Sequence, residues 1–229
     1  MEIFARVYPD AHCELEFANP LQLLVATILS AQCTDKRVNI VTKELFRRCR
    51  NAADYAAIAP EELERIIQST GFFRAKGKSI RACCAELVRT HRGEVPKTMD
   101  DLTALAGVGR KTANVVLGNA YGLNEGVVVD THVARLSHRL GLTKEIDPER
   151  IESDLMKLIP RERWSIFSHW LIWHGRRRCT ARNPDCAGCE VQPLCPSAFK
   201  VPGAKGSESG NPSQARPRPA ANSAAPPRR

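Results

Sequence analysis

Apolar side chains recur at intervals of three and four residues along most of this chain, as they do on the buried face of an amphipathic helix. Segments with this period are separated by prolines, glycines and short polar side chains. No segment alternates strictly between apolar and polar positions, which is the pattern of a half-buried strand. The sequence therefore predicts an all-α protein. The apolar run 127–129 is interpreted as buried coil, with a short strand as the alternative.

Helix boundaries are marked by residues with known capping preferences. Asn19 precedes Pro20, which gives an N-cap followed by a proline in the first helical position. Pro60 opens a helix that Gly71 is predicted to end, because glycine accepts the left-handed conformation that follows many helices. On these signals the predicted helices begin near residues 20, 34, 60, 74, 99, 109, 131, 148 and 161.

The segment 102–117, LTALAGVGRKTANVVL, is predicted to form two helices joined by a tight Gly-x-Gly turn. Gly107 and Gly109 have no side chains, so their backbone N–H groups can approach an anion closely. The second helix begins at the turn and directs its positive end towards the same point. This pattern indicates a helix–hairpin–helix that binds a phosphate of the DNA backbone. The alternative is a turn that only packs two helices together.

Four of the nine cysteines fall within seventeen residues, at the spacing C-x6-C-x2-C-x5-C. Thiolates packed this tightly suit Zn or an iron–sulfur cluster, because soft sulfur ligands bind such metals strongly. An odd number of cysteines and the lack of a secretory pattern at the N-terminus favour a reducing, cytoplasmic environment. The predicted metal ligands are Cys179, Cys186, Cys189 and Cys195.

The chain has a formal net charge of +9, which favours a polyanionic partner such as nucleic acid. A membrane is the weaker interpretation, since no apolar run approaches the roughly 20 residues that span a bilayer. Residues 201–229 are rich in Pro, Ala, Ser and Gly and carry +4 of this charge. They hold too few large apolar side chains to fold, so this stretch is predicted to be a disordered basic tail.

Five segments, in order along the chain, together resemble the endonuclease III family: LSAQCTD (29–35), TGFF (70–73), LAGVGRKTANVVL (105–117), VVDTHV (128–133) and the cysteine ladder (179–195). This family consists of helix–hairpin–helix DNA glycosylases that carry a 4Fe–4S cluster. The resemblance extends over residues 1 to about 200. The glycine-rich segment and the cysteine ladder are its most specific parts.

The resemblance implies a two-lobed all-α fold. A helical barrel lobe of residues 13–123 contains the helix–hairpin–helix at about 102–117. Residues 1–12 and 124–200 form the second lobe, which one structural 4Fe–4S cluster closes through the four cysteines. The implied partner is double-stranded DNA with damaged pyrimidines or abasic sites, bound by a monomer in a bacterial-type cytoplasm, where it associates with the nucleoid through DNA.

The resemblance also implies that Lys111 is the nucleophile and Asp130 the catalytic carboxylate. The helix N-terminus beside Lys111 and a desolvating pocket wall would lower the pKa of this amine, whereas a nearby carboxylate would raise it. Without the resemblance, Lys111 is interpreted as a phosphate contact and Asp130 as an N-cap. The capping and catalytic roles of Asp130 are compatible.

The implied reaction begins when an oxidised pyrimidine is flipped out of the duplex. Lys111 attacks C1′ of the deoxyribose and displaces the base, which leaves a Schiff base. Loss of a C2′ proton and β-elimination then cleave the strand on the 3′ side of the site. These steps describe a bifunctional DNA glycosylase and AP lyase of base excision repair, in which the metal takes no part in the chemistry.

The resemblance implies DNA contacts from Gln32, Phe72, Gly107, Gly109, His132 and Arg182. Gln32 and Phe72 align with positions that fill the gap left by the flipped nucleotide, although well-studied relatives commonly have leucine at position 72. Helix-end packing is the alternative for both, and a capping or buried neutral role is the alternative for His132. Arg182 is the main phosphate contact expected from the cysteine loop, residues 179–195. The basic run 176–178 is a further candidate.

Three other functions fit parts of the pattern. A DNA-binding module held together by Zn would explain the hairpin and the cysteines, but structural zinc sites more often show two CxxC pairs, and this chain has one. An electron-transfer protein would leave Lys111 and Asp130 without a purpose. A glycosylase that excises mispaired adenine usually lacks a lysine at position 111 and carries an additional C-terminal domain.

Overall fold

The computed structural model describes residues 1–206, and residues 207–229 lie outside the described part. Within residues 1–206 the chain forms helices and loops without a β-strand, which confirms the all-α class. None of these helices is long and apolar enough to cross a membrane. The α-helices are α1 (Glu2–Val7), α2 (Pro20–Ser30), α3 (Asp35–Arg48), α4 (Ala52–Ala57), α5 (Pro60–Ile67), α6 (Phe73–His91), α7 (Met99–Thr103), α8 (Arg110–Tyr121), α9 (Thr131–Arg139), α10 (Pro148–Leu158) and α11 (Trp164–Arg177).

Polar side chains begin several of these helices, as the sequence predicts. The Asn19 side chain accepts a hydrogen bond from the backbone N–H of Gln22 at 2.9 Å, and Thr34 Oγ1 accepts one from the N–H of Arg37 at 3.3 Å. The sequence does not predict α1 and α4, because helices of six residues are too short to show a period. The run 127–129 is buried coil, as predicted.

The first hydrophobic core surrounds α2. Leu23, Leu24 and Leu29 of this helix are fully buried, and α3, α6 and α8 pack against it. A helix in this position is apolar on nearly all sides because it faces protein in every direction. The buried members of this core come from residues 15–117.

The second hydrophobic core is built from α1, α9, α10 and α11. Phe4 of α1 and Tyr8, which follows that helix, pack among residues 127–191, so the N-terminal segment joins the C-terminal half of the chain. The three tryptophans of α11 are buried here as core residues. This separation of buried residues supports the two lobes that we propose, 13–123 and 1–12 with 124–200.

Residues 201–206 correct the expected start of the disordered tail. The backbone N–H of Lys205 donates a hydrogen bond to Pro184 O at 2.9 Å, and Ala187 N–H donates one to Lys205 O at 3.3 Å. Gly203 lies so close to the cysteine loop that a Cβ would be 2.4 Å from Arg182 O. This segment is therefore held against the cysteine loop by backbone contacts. The rest of the predicted tail lies outside the described residues.

Candidate functional site

A cleft of about 720 Å³ lies between the two hydrophobic cores. Lys111 reaches it from the first turn of α8, and Asp130 from the N-terminus of α9. Gln32, His132 and Arg176 line the same cleft. The structure thus brings into one cleft two predicted reactive residues from helices that pack in different cores.

Lys111 is the second residue of α8 and is solvent-exposed. The sequence-based expectation that a pocket wall removes this side chain from water is wrong for the protein by itself. The reason is its position at the helix start, where the side chain lies at the rim of the cleft and not among core residues. Burial of Lys111 therefore requires a molecule that covers the cleft.

The two hairpin glycines have different structural roles. Gly107 has a φ of +77°, and a Cβ there would lie 2.8 Å from Cβ of Ser79 on α6. Glycine is needed at this position for the backbone conformation and for packing. Gly109 has an ordinary φ of −94°, and a Cβ there would meet no atom within 4 Å. The open space beside Gly109, at the start of α8, is where an anion could approach the backbone.

Asp130 is the N-cap of α9, as the sequence predicts. Its Oδ1 accepts hydrogen bonds from the backbone N–H groups of His132 and Val133, each at 2.8 Å. These donors and the helix dipole stabilise negative charge on the side chain. Oδ2 accepts none of the hydrogen bonds found within residues 1–206. Capping therefore holds the carboxylate in the cleft while occupying only one of its oxygens.

Two histidines in the cleft are held in defined hydrogen bonds. His169 Nε2 lies 2.7 Å from Oδ1 of Asn119, which can only accept, so Nε2 donates. Burial lowers the pKa of His169 to about 4. His132 Nδ1 lies 3.2 Å from the Arg135 guanidinium, and burial also lowers the pKa of His132. Both imidazoles are thus disposed to remain neutral, and sequence analysis did not identify His169 as a site residue.

Gln32 and Phe72 share an unusual backbone conformation. Their φ angles are +53° and +48°, in the left-handed region that non-glycine residues seldom occupy. Both side chains are exposed, and Phe72 remains 67% exposed despite its size. Gln32 lines the cleft, whereas Phe72 lies on the adjoining loop outside the cleft lining.

The basic run 176–178 is engaged within the protein, and its expected role as a phosphate contact stays a prediction. Each arginine has acidic partners: Glu14 and Asp35 for Arg176, Glu14 for Arg177, and Asp185 and Glu190 for Arg178. Arg177 also lies over the Trp173 ring, 3.7 Å from its centroid. Arg182 is exposed and forms no ion pair within residues 1–206. Arg182 is therefore the available cation of the cysteine loop.

The four cysteines predicted to bind metal line one small, apolar cavity of about 30 Å³. None of the nine cysteines forms a disulfide, and within residues 1–206 no group of three or more His, Cys, Asp or Glu side chains is arranged to hold a single metal ion. Arg139 donates hydrogen bonds to Cys179 Sγ at 3.1 Å and to Thr180 O at 2.7 Å. The cysteine loop is thus fastened to the C-terminal end of α9, the helix that carries Asp130 at its other end.

Comparisons with known proteins agree with this geometry. Residues 25–161 match the model of the HhH-GPD superfamily of base excision DNA repair proteins. The chain is 56% identical to endonuclease III of Synechocystis sp. over 196 residues, which cover 86% of this chain and 90% of that protein. The chain belongs to the endonuclease III family. It is a base excision repair DNA glycosylase and AP lyase.

Further relatives of this endonuclease III family member cover nearly the same length. Endonuclease III of Bacillus subtilis is 46% identical over 190 residues, covering 82% of this chain and 86% of that protein. A solved non-covalent endonuclease III–DNA complex is 48% identical, with a TM-score of 0.83, over 87% of this chain and 93% of that one. The two-lobed helix–hairpin–helix glycosylase fold expected from the sequence is therefore confirmed.

The hairpin helix of this endonuclease III family member is fixed to the second core by contacts that the sequence does not predict. Arg110 pairs with Glu152 of α10 through two hydrogen bonds, at 2.8 and 3.1 Å. Asn114 Nδ2 donates to the same carboxylate at 2.8 Å, and Glu152 is only 5% exposed. The sequence gives no direct signal for this network, because 42 residues separate Arg110 from Glu152.

Proposed function

We propose that Lys111 is the nucleophile and Asp130 the catalytic carboxylate of this glycosylase and AP lyase. The observation that carries the proposal is that both residues line one cleft, each at the N-terminus of a helix, with the helices in different cores. DNA that lies over the cleft would exclude water from Lys111 and so favour its neutral, nucleophilic form. Asp130 would stabilise positive charge on the sugar through its carboxylate.

The proposed substrate is double-stranded DNA that contains a damaged pyrimidine or an abasic site. Pockets for small ligands have volumes of roughly 300–1,000 Å³, and the cleft falls in this range, so it can accept a flipped nucleotide. Neutral His169, donating to Asn119 through Nε2, presents Nδ1 as a hydrogen-bond acceptor in the cleft lining. This acceptor is suited to an N–H group of a pyrimidine ring.

The proposed reaction has two stages. In the first, Nζ of Lys111 forms a bond to C1′ as the bond from C1′ to the base breaks, and the base leaves with the electron pair and takes up a proton. Opening of the sugar ring then gives a Schiff base between Lys111 and C1′. In the second stage a proton is lost from C2′ and the C3′–O bond breaks. The strand is thereby cut on the 3′ side of the damaged site.

The proposed DNA contacts come from three places around the cleft. The hairpin supplies backbone N–H groups beside Gly107 and Gly109, aided by the positive end of α8. His132 and Arg182 supply contacts to the DNA backbone, and Arg182 is exposed and unpaired within residues 1–206. Gln32 and Phe72 fill the gap in the base stack, for which their exposed, left-handed positions are suited. Every group in this scheme belongs to one chain, so we propose that the protein acts as a monomer. We also propose that it acts in the cytoplasm, on DNA of the nucleoid.

The proposed cofactor is one 4Fe–4S cluster, which Cys179, Cys186, Cys189 and Cys195 would hold. The four cysteines line one cavity, and they include a single CxxC pair, whereas structural zinc sites more often show two. When bound, the cluster would supply iron–thiolate bonds that hold the cysteine loop in place. A brown protein that absorbs near about 400 nm supports this assignment. A colourless protein with one Zn per chain would contradict it.

Borohydride trapping tests the assignment of Lys111, because borohydride reduces a Schiff base to a stable amine. We expect the protein to form a covalent adduct with duplex DNA that contains thymine glycol, and Lys111→Ala to form none while keeping its cluster absorbance. Lys36, which also lines the cleft, provides the matched control, and Lys36→Ala should still be trapped. No adduct from cluster-loaded protein would defeat the bifunctional mechanism, and an adduct with Lys111→Ala would place the nucleophile elsewhere.

A further inference from the structure

A buried lysine without an acidic partner lies beneath the loops that carry Gln32 and Phe72. Lys76 of α6 is 6% exposed, and its Nζ donates hydrogen bonds to Leu29 O and to Thr70 O, each at 2.8 Å. No ion pair of Lys76 is found in the described part of the chain. Burying an ammonium group is costly unless hydrogen bonds replace those it made to water. Here two backbone carbonyl groups accept these hydrogen bonds, and their positions indicate a structural role.

Both acceptors lie at the C-terminal ends of helical segments. Leu29 is in the last turn of α2, and Thr70 ends the short 3₁₀ turn Gln68–Thr70 that follows α5. The last carbonyl groups of a helix lack intrahelical partners and carry partial negative charge. One ammonium group therefore caps two helical segments at once and holds their ends together.

The residues that follow these two ends are Gln32 and Phe72, which we propose fill the gap in the base stack and which we call the wedge residues. Gln32 comes three positions after Leu29, and Phe72 comes two positions after Thr70. The backbone N–H of Lys76 also donates to Phe72 O at 3.0 Å. Each wedge residue has a positive φ, a conformation that persists only where surrounding contacts hold it. Lys76 supplies contacts to both segments.

We propose that Lys76 is a positioning residue that sets the spacing of Gln32 and Phe72, so that both enter the base stack together when a nucleotide is flipped. The inference rests on the proposed wedge function of these two residues. It assigns Lys76 no contact with DNA, because its ammonium group is buried and bonded to two carbonyl groups. Its loss should therefore affect the steps that need a duplex and spare the chemistry at Lys111.

The test compares strand cleavage at an abasic site in duplex DNA with cleavage of the same oligonucleotide as a single strand, where no stack has to be filled. Lys76→Met removes the ammonium group and keeps an unbranched side chain. We expect kcat/KM on the duplex to fall roughly ten- to hundredfold, with less than about a threefold change on the single strand. Lys43→Met, which removes an exposed lysine of α3, should change neither value.

Three further variants keep the outcome decisive. Lys76→Gln retains an N–H donor for one of the two carbonyl groups and replaces Lys76→Met if the latter does not fold. Equal losses on duplex and single strand, or no loss on duplex, would overturn the role of Lys76. Gln32→Ala and Phe72→Ala test the wedge itself. If these two leave duplex cleavage unchanged, the wedge assignment fails, whereas a duplex-specific loss in them without one at Lys76 removes only the positioning role.

Discussion

Arg110 and Glu152 form an ion pair that joins the two hydrophobic cores, with Nε 2.8 Å from Oε2. Arg110 immediately precedes Lys111, so this pair fixes the helix turn that carries the proposed nucleophile. The Glu152 carboxylate also accepts a hydrogen bond from Asn114, and a Cβ at Gly126 would collide with its Oε1. The position of Lys111 relative to the second core therefore depends on a contact between the cores as well as on the hairpin sequence.

We expect Glu152→Ala to lower the free energy of unfolding by about 2–4 kcal/mol, because it leaves Arg110 and Asn114 without their shared acceptor. Glu149→Ala removes an exposed glutamate from the same helix and should cost less than about 1 kcal/mol. Urea unfolding monitored by circular dichroism measures both. Equal effects of the two substitutions would show that the buried network adds no stability.

Asp130→Asn tests the helix-capping role of Asp130 separately from its proposed catalytic role. Asparagine is as good an N-cap as aspartate, so its side-chain oxygen can keep the hydrogen bonds from His132 and Val133. We expect the free energy of unfolding to change by less than about 1 kcal/mol, while kcat for base excision falls on the order of a hundredfold through loss of the negative charge. Single-turnover excision assays and thermal unfolding provide the two readouts. Retained excision activity would leave Asp130 with a capping role only.

Gly107→Ala and Gly109→Ala should affect different properties, stability for the first and DNA binding for the second. Gly107→Ala imposes a side chain at φ +77° and against Ser79, and we expect it to cost about 1–3 kcal/mol of stability. Gly109→Ala adds a methyl group in open space, so stability should change by less than about 1 kcal/mol. The same methyl group would obstruct the approach of a phosphate to the backbone. Weaker binding of duplex DNA by folded Gly109→Ala, measured by fluorescence anisotropy, supports the hairpin contact, and unchanged affinity argues against it.

The burial of His169 should make the free energy of unfolding depend on pH. The pKa of His169 is about 4 in the folded protein, below its ordinary value of about 6.5. The unfolded chain therefore binds more protons between these values, and stability falls as the pH decreases through this window. His169→Gln should make this loss shallower by up to about 1.4 kcal/mol per pH unit. Urea unfolding at several pH values from 7 to 4 measures the slope, and an identical slope in both proteins would contradict the burial of a neutral imidazole.

Several elements could be predicted because their causes are local. Asn19, Pro20 and Thr34 act within one helical turn, so their capping roles follow from sequence. Asp130 is likewise an N-cap for a local reason. The short helices α1 and α4 could not be predicted, since tertiary packing stabilises them more than any period or propensity does.

The contacts of charged side chains were the least predictable part. Arg176 and Arg178 are adjacent to other basic residues in sequence, yet each is paired with carboxylates that the fold brings to it. Lys76 has no distinguishing neighbour in sequence and becomes notable only because the ends of two helical segments converge on its ammonium group. Such pairings depend on the packing of distant segments.

The sequence by itself determined the all-α class, the hairpin and the cysteine ladder, because each depends on residue type and short-range spacing. The residues expected to react were implied by the resemblance to the endonuclease III family. Only the tertiary structure decided that Lys111 is exposed at the rim of the cleft, that Glu152 joins the hairpin helix to the second core, and that His169 lines the cleft. These are properties of distance and burial. They arise when two separate hydrophobic cores pack side by side, and the spacing of residues along the chain does not encode that arrangement directly.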